Sequence, residues 1–144
     1  MTDPEISAED LLALALQQAA VVEGKSRSTS EVWFTEEPSR LHRAFKEICE
    51  RYRKLFPELA ELSFSNEGAF PYSPELRQIL GNLQLYGIIG RRNPSFDRFS
   101  PKLFDDSERV VKNELKFFFG DSREKLDGFE RLVEEVRKQL VEAA

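Results

Sequence analysis

The sequence predicts a mainly α fold that carries one β-hairpin. Three observations predict it. Apolar residues recur at three- and four-residue spacing in several stretches, as one face of a helix requires. Cap and stop residues bracket those stretches, most clearly Ser73-Pro74 before and Gly87 after one of them. One β-branched pair, Ile88-Ile89, is followed by a turn signal at Asn93-Pro94-Ser95 and a loosely alternating return from Phe96 to Phe104.

The first helix is read over "ISAEDLLALALQQAAVV". Ser7 is its N-cap, and Glu9 and Asp10 complement the positive helix end. Its apolar residues run most of the way round, which predicts a buried helix. Gly24 ends it. "GKSRSTSEVWFTEEP" is polar and irregular, with Trp33 and Phe34 as anchors onto the core.

The second helix is "PSRLHRAFKEICERYRKLF", with Leu41, Phe45, Ile48, Tyr52 and Leu55 on one face. "PELAELSFS" closes a short helical turn and leads into an extended piece, and "SNEGAFPY" is a loop. "SPELRQILGNLQLYG" follows as a well-capped helix whose inward stripe is Leu76, Ile79, Leu80 and Leu83. Gly81 inside it costs about 1 kcal/mol against alanine; close helix packing is the reading that accounts for it. "DDSERVVKNELKFFF" is a further helix, capped by Asp105 or Asp106 and stopped by Gly120. The last, "DSREKLDGFERLVEEVRKQLVEAA", opens on a capping box from Asp121 to Glu124. Its stripe of Leu126, Phe129, Val133, Val136 and Leu140 is two heptads long, too short for a coiled coil.

At 144 residues the chain has room for one domain with a true core. Segments 1–37 (helix and irregular stretch), 38–104 (core of the domain) and 105–144 (helical extension) divide it. A content of 40% hydrophobic residues with twelve Phe excludes disorder along the whole length. Cys49 is the only cysteine, so no intrachain disulfide forms, and a reducing cytosol is the expected setting. The longest apolar run, Leu11 to Leu16, is far short of the ~20 residues that span a bilayer. The acidic start "MTDPEISAED" lacks the basic region of a secretory signal. The expectation is a cytoplasmic protein with no membrane contact.

The order helix, extended piece, well-capped helix, glycine and hairpin is that of a winged helix-turn-helix. The recognition helix would be 73–86 and a two-stranded wing 88–103, with the terminal helices packing against this core. The net charge of −5 and a pI near 5.1 argue against a protein that coats nucleic acid generally. Charge is nevertheless unevenly placed. Between Asn66 and Leu103 five basic and three acidic residues give +2, against −4 over the 65 residues before and −3 over the 41 after. Arg77, Gln78 and Asn82 on the helix, and Arg91, Arg92, Arg98 and Lys102 on the wing, are therefore the nucleic-acid-binding candidates. Surface arginines that guard a sheet edge are the structural alternative.

"LHRAFKEI" followed by "LSFSNEGAFPYSPELRQILGNLQLYGII" resembles small winged-helix families of the Panacea antitoxin-like and YwgA-like kind. The matching positions are Leu41, Phe45, Phe64, Pro71, Tyr72, Ser73, Glu75, Leu76, Leu80, Leu83, Gly87 and Ile88, within roughly Leu41 to Phe104. "PYSPEL" is the most specific part, and Phe70 stands where those families have glycine. The resemblance implies a winged-helix domain used for protein or DNA contact, without catalysis.

No residue set compels a chemistry. "GKS" at Gly24 to Ser26 lacks the glycine of a phosphate loop, since Ala19 occupies that place, and it ends a helical run instead of starting one. His42 and Cys49 are seven residues apart, about 10 Å along one helix, too far to share a metal or act as nucleophile and base. Cys49 reads as a core residue and His42 as a surface one. Adjacent acids at Glu36-Glu37, Asp105-Asp106 and Glu134-Glu135 point apart on a helix and make poor acid-base pairs. No enzyme activity, cofactor or metal is expected.

The three consecutive phenylalanines after Lys116 cannot all face one side of a helix. Phe117 and Phe118, with Phe129, Val133, Val136 and Leu140, are therefore interface candidates. The functional expectation is a binding module that acts through a protein partner or self-association, antitoxin-like or regulatory. DNA binding through the helix and wing is the alternative.

Overall fold

The structure is a computed structural model that describes residues 6–20, 33–91, 98–101 and 107–141. The described chain is mainly helical, with a small antiparallel sheet. Its elements run α1 (Ala8–Ala19), β1 (Phe34–Thr35), α2 (Pro38–Tyr52), a 3₁₀ turn (Pro57–Glu61), α3 (Pro74–Leu85), β2 (Ile89–Arg91), β3 (Arg98–Pro101), α4 (Ser107–Phe119) and α5 (Arg123–Leu140).

α1 lies at the centre, against α5, α4 and the 3₁₀ turn. Leu11, Leu12, Leu14, Leu16 and its alanines are buried, which its nearly continuous apolar surface requires. Ser7 Oγ caps it by accepting from the Asp10 amide at 3.1 Å. Glu61 Oε2 accepts from the Ala8 amide at 3.1 Å, so a carboxylate from the 3₁₀ turn also serves its positive end. The opposite end is closed by α5. Arg137 Nε donates to the Ala19 carbonyl at 3.0 Å and Nη2 to the Gln18 carbonyl at 2.9 Å. Arg137 also pairs with Glu134 one turn back. α5 receives the same service from α2, where Arg40 Nε donates to the Gln139 carbonyl at 3.2 Å.

α5 starts at Ser122, whose Oγ accepts from the Lys125 amide at 3.3 Å. Asp121 is therefore not the cap that the sequence pattern indicated; the hydroxyl one residue on has the required geometry. Phe129, Leu132, Val133, Val136 and Leu140 turn inward between α1 and α2. Gly128 faces Leu55, and a Cβ there would overlap the Leu55 Cδ2 methyl. Gly81, read as the close-packing glycine, has no atom within 4 Å of the place a Cβ would take. The close approach belongs to Gly128. Gly87 and Gly120, at φ of 76° and 57°, end α3 and α4 in the left-handed region that favours glycine.

The sheet has three strands in the order β1-β3-β2, all antiparallel. The two-stranded hairpin is thus extended by Phe34–Thr35. Phe34 pairs in register with Phe99, and their buried rings stack at 5.4 Å. Two residues are too few to show the alternation that marks a strand in sequence. The Asn93-Pro94-Ser95 turn, Leu103, the Asp105 and Asp106 caps and the "GKS" stretch lie outside the described residues.

Two substitutions test this packing. Gly81→Ala is expected to stabilise the protein by up to about 1 kcal/mol, since it gains helix propensity and meets nothing. Arg137→Met, which keeps the apolar stem, should cost about 2 kcal/mol because two helix-end carbonyls lose a charged donor. Urea unfolding of each variant against wild type measures both.

Candidate functional site

α3 is built to show one face. Ser73 Oγ accepts from the Leu76 amide at 3.1 Å and Pro74 occupies the first helical position. Glu75 Oε1 accepts from the Ser63 amide at 2.8 Å and the Ser63 hydroxyl at 2.7 Å, which ties the helix start to the preceding segment. Those bonds hold the Glu75 carboxyl below the usual carboxylate range. Leu76, Ile79, Leu80 and Leu83 turn inward as the stripe predicts.

The outward face carries Arg77 and Gln78, both exposed. Asn82 is half-buried and engaged within the chain. Its Oδ1 accepts from Gln78 Nε2 at 3.0 Å and its Nδ2 donates to Glu9 Oε1 at 2.7 Å. The end of α3 is apolar and open: Leu85 is 83% exposed and Tyr86 68%. Sequence reasoning did not single these two out as a site. The signal was available, because Leu85 stands two residues beyond Leu83 and so off the inward stripe.

Arg91 and Arg98 take places in β2 and β3, so the hairpin backbone brings these two positions onto neighbouring strands. Arg92 and Lys102 lie outside the described residues. In the C-terminal half the phenylalanine run divides. Phe117 is 63% exposed, Phe118 is half-buried and meets Phe117 edge-on at 5.1 Å, and Phe119 is buried against Phe56 and Phe129. Val110, one heptad before Phe117, is also exposed. Phe129, Val133, Val136 and Leu140 are buried in the chain's own core, where α5 meets α1 and α2.

A cleft of about 240 Å³ opens between the first turns of α2 and α3, lined by Glu36, Pro38, Leu41, His42, Tyr72, Arg77 and Leu80. His42 is the unexpected member. The helical pattern reads it as a surface residue, yet it is only 4% exposed. The cover comes from segment 65–72, which folds back through a bridge between Ser65 and Tyr72. The Tyr72 ring stacks on the imidazole at 4.5 Å, and the Ser73 amide donates to Nδ1 at 3.0 Å. With Nδ1 accepting, the proton of the neutral ring sits on Nε2. Burial lowers the His42 pKa from its ordinary value of 6.5.

A wider groove of about 460 Å³ lies between the end of α2 and α5, lined by Arg51, Tyr52, Lys54, Leu55, Glu124 and Arg131. Arg51 is already paired there, with Glu47 at 2.9 Å and Glu135 at 3.2 Å. Cys49 is buried as predicted, and burial, with help from Glu50, pushes its thiol up to about 12. A thiol held that far above neutral pH is not an activated nucleophile. No group of three or more His, Cys, Asp or Glu side chains suited to a metal occurs among the described residues. No described helix is long and apolar enough to cross a membrane.

Comparison of the chain with protein-family models, with curated proteins and with solved structures returns no match.

The buried imidazole gives a pH dependence of defined sign. Its pKa is lowered in the folded state, so the unfolded chain takes up the proton first. Stability is full above the unfolded value of about 6.5 and falls as pH drops from there toward the folded value. The urea midpoint should therefore decline on acidification from pH 7 to pH 5. His42→Asn, which retains an acceptor near the Ser73 amide, should flatten that decline; an unchanged slope would assign it to other groups.

Proposed function

We propose that the chain is a non-enzymatic winged-helix binding module that acts through protein contact, in an antitoxin-like or regulatory role. The element order supports the fold reading: helix, strand, helix, capped helix, then two strands, with the last strand between the other two. The likeness of "PYSPEL" and its surroundings to antitoxin-like winged-helix families points the same way. The observation that carries the functional reading is the exposed Leu85-Tyr86 pair at the end of α3. Two adjacent large apolar side chains in water favour a protein surface over a phosphate backbone. Asn82, which a base-reading helix would keep available, is bonded to Glu9 instead.

The local excess of basic residues from Asn66 to Leu103 favours a second reading, DNA binding through the helix 73–86 and the wing 88–103. Self-association is the third form of contact. With the α5 stripe buried, Val110 and Phe117 on α4 are an exposed apolar pair, apart from Leu85 and Tyr86, that such contact could use.

Leu85→Asp combined with Tyr86→Ser separates the readings. Both positions are exposed, so the melting temperature should stay within a few degrees of wild type. Capture of a protein partner from native lysate should be lost. If wild type instead retains only nucleic acid, and Arg91→Glu with Arg92→Glu abolishes a salt-sensitive DNA shift, the DNA reading replaces the protein one.

A further inference from the structure

We infer that His42 is a pH-operated latch: it holds segment 65–72 closed over α2, and protonation of its imidazole releases the segment while the helical core stays folded. The latch is a hydrogen bond of fixed direction. The Ser73 amide donates to Nδ1 at 3.0 Å, between residues that are 0% and 4% exposed. The neutral ring accepts there because its proton is on Nε2. An imidazolium carries a proton on both nitrogens and has no acceptor left. Turning the ring over does not help, since it then shows the amide a carbon. Two buried donors face each other, and one of them has to move.

The rings of the segment rest on the same histidine. Tyr72 stacks on the imidazole at 4.5 Å and Phe70 lies tilted to it at 6.0 Å. Among the described residues, the segment's other polar ties to α2 and α3 are two arginine bonds at 3.5 Å. They run from Arg43 Nη2 to the Ala69 carbonyl and from Arg77 Nη1 to the Tyr72 hydroxyl, at the long limit for a hydrogen bond. Residues 65–69 are exposed. The base of the segment is fixed independently of His42. Ser65 and Tyr72 bond each other's backbone at 2.8 and 3.0 Å, and Glu75 Oε1 accepts from the Ser63 amide at 2.8 Å. The bonds to Ser63 hold the Glu75 carboxyl below the usual carboxylate range, so it stays ionised while His42 takes up a proton. The opening is therefore a swing of this unit about its base, with α3 kept in place by Leu76, Ile79, Leu80 and Leu83.

The charged and titratable groups around the ring are Glu36 before α2, Tyr72, and Arg77 on α3, which line the same cleft, with Arg43 one residue on in α2 and Glu75 at the start of α3. Among the described residues none of them forms an ion pair with the ring, and burial is the cause that lowers its pKa from 6.5. Stacking of a cation on the Tyr72 ring is a gain, but a smaller one than the loss from two buried donors left unpaired. Release gives both donors to water and removes the Tyr72 wall of the cleft. The latch does not depend on what the Leu85-Tyr86 surface binds.

His42 is the only histidine in the chain, so NMR of the full chain follows its imidazole titration directly. As the pH is lowered through that titration, amide order parameters between residues 66 and 72 should fall from the ~0.85 of rigid backbone to below ~0.6, with the same midpoint as the imidazole. Those of α1 and α5 should hold. His42→Asn keeps an acceptor near the Ser73 amide and takes up no proton, so its segment should stay ordered over the same range. Four results would overturn the latch: a segment that stays ordered once His42 is protonated, a loosening with a different midpoint, a loss of order in α5 at the same pH, or a folded His42→Asn protein whose segment is loose at low pH. If that variant does not fold, the two wild-type midpoints and the order of α5 decide.

Discussion

The seam between α5 and α1 is the constraint on which the rest of the structure depends. α1 is apolar nearly all round and has no stable place at a surface. α5 covers one side of it with Phe129, Leu132, Val133, Val136 and Leu140, each contributing roughly 1.5–3 kcal/mol of burial. α4 and the Pro57–Glu61 turn cover the remainder. The polar ends of these helices are then closed by one another. Arg137 of α5 caps α1, Arg40 of α2 caps α5, and Glu61 serves the start of α1. Each of these bonds joins residues far apart in the chain. Each of them needs the helices held together, as the apolar seam holds them.

A second, polar joint fixes α3 on this base. The Ser73 amide is one of the donors left over at a helix start, and it finds the buried Nδ1 of His42 on α2. Glu75 bonds Ser63 on the other side of the same turn. α3 is held at its first turn by hydrogen bonds and along its length by four apolar residues, while its far end stays open. The tied end forms the small cleft, and the open end presents Leu85 and Tyr86. One element thereby borders a cleft at its first turns and exposes two apolar side chains at its far end.

Several residues that define these sites were readable before any coordinates. The caps at Ser7 and Ser73, the stops at Gly87 and Gly120, and the inward stripe of α3 follow from local rules, because each depends on a residue and its neighbours within one turn. Cys49 was likewise legible as a core position from its place beside the apolar face of α2. Its relation to His42, seven residues earlier and so on the same side of the helix, was the available hint that His42 is covered too. Charge obscured it: a polar residue in a stretch with Arg40 and Arg43 reads as surface when only the helix is considered.

What the sequence by itself determined is the helical content, the starts of α1 and α2, both ends of α3, the stop of α4 and the position of one hairpin, since these rest on spacing and on caps a few residues apart. The tertiary structure decided the third strand, the burial of His42, the use of Arg137 and Arg40 as caps, and which glycine permits close packing. Phe34–Thr35 is a strand because Phe99 lies beside it, and Gly128 leaves the space that the Leu55 side chain fills. Such features depend on partners tens of residues distant, and local pattern carries no information about which partner arrives. The division of the phenylalanine run follows the same rule. A helix turns consecutive side chains about 100° apart, so the sequence established that the three must separate. Only the approach of Phe56 and Phe129 chose Phe119 as the buried one and left Phe117 in water.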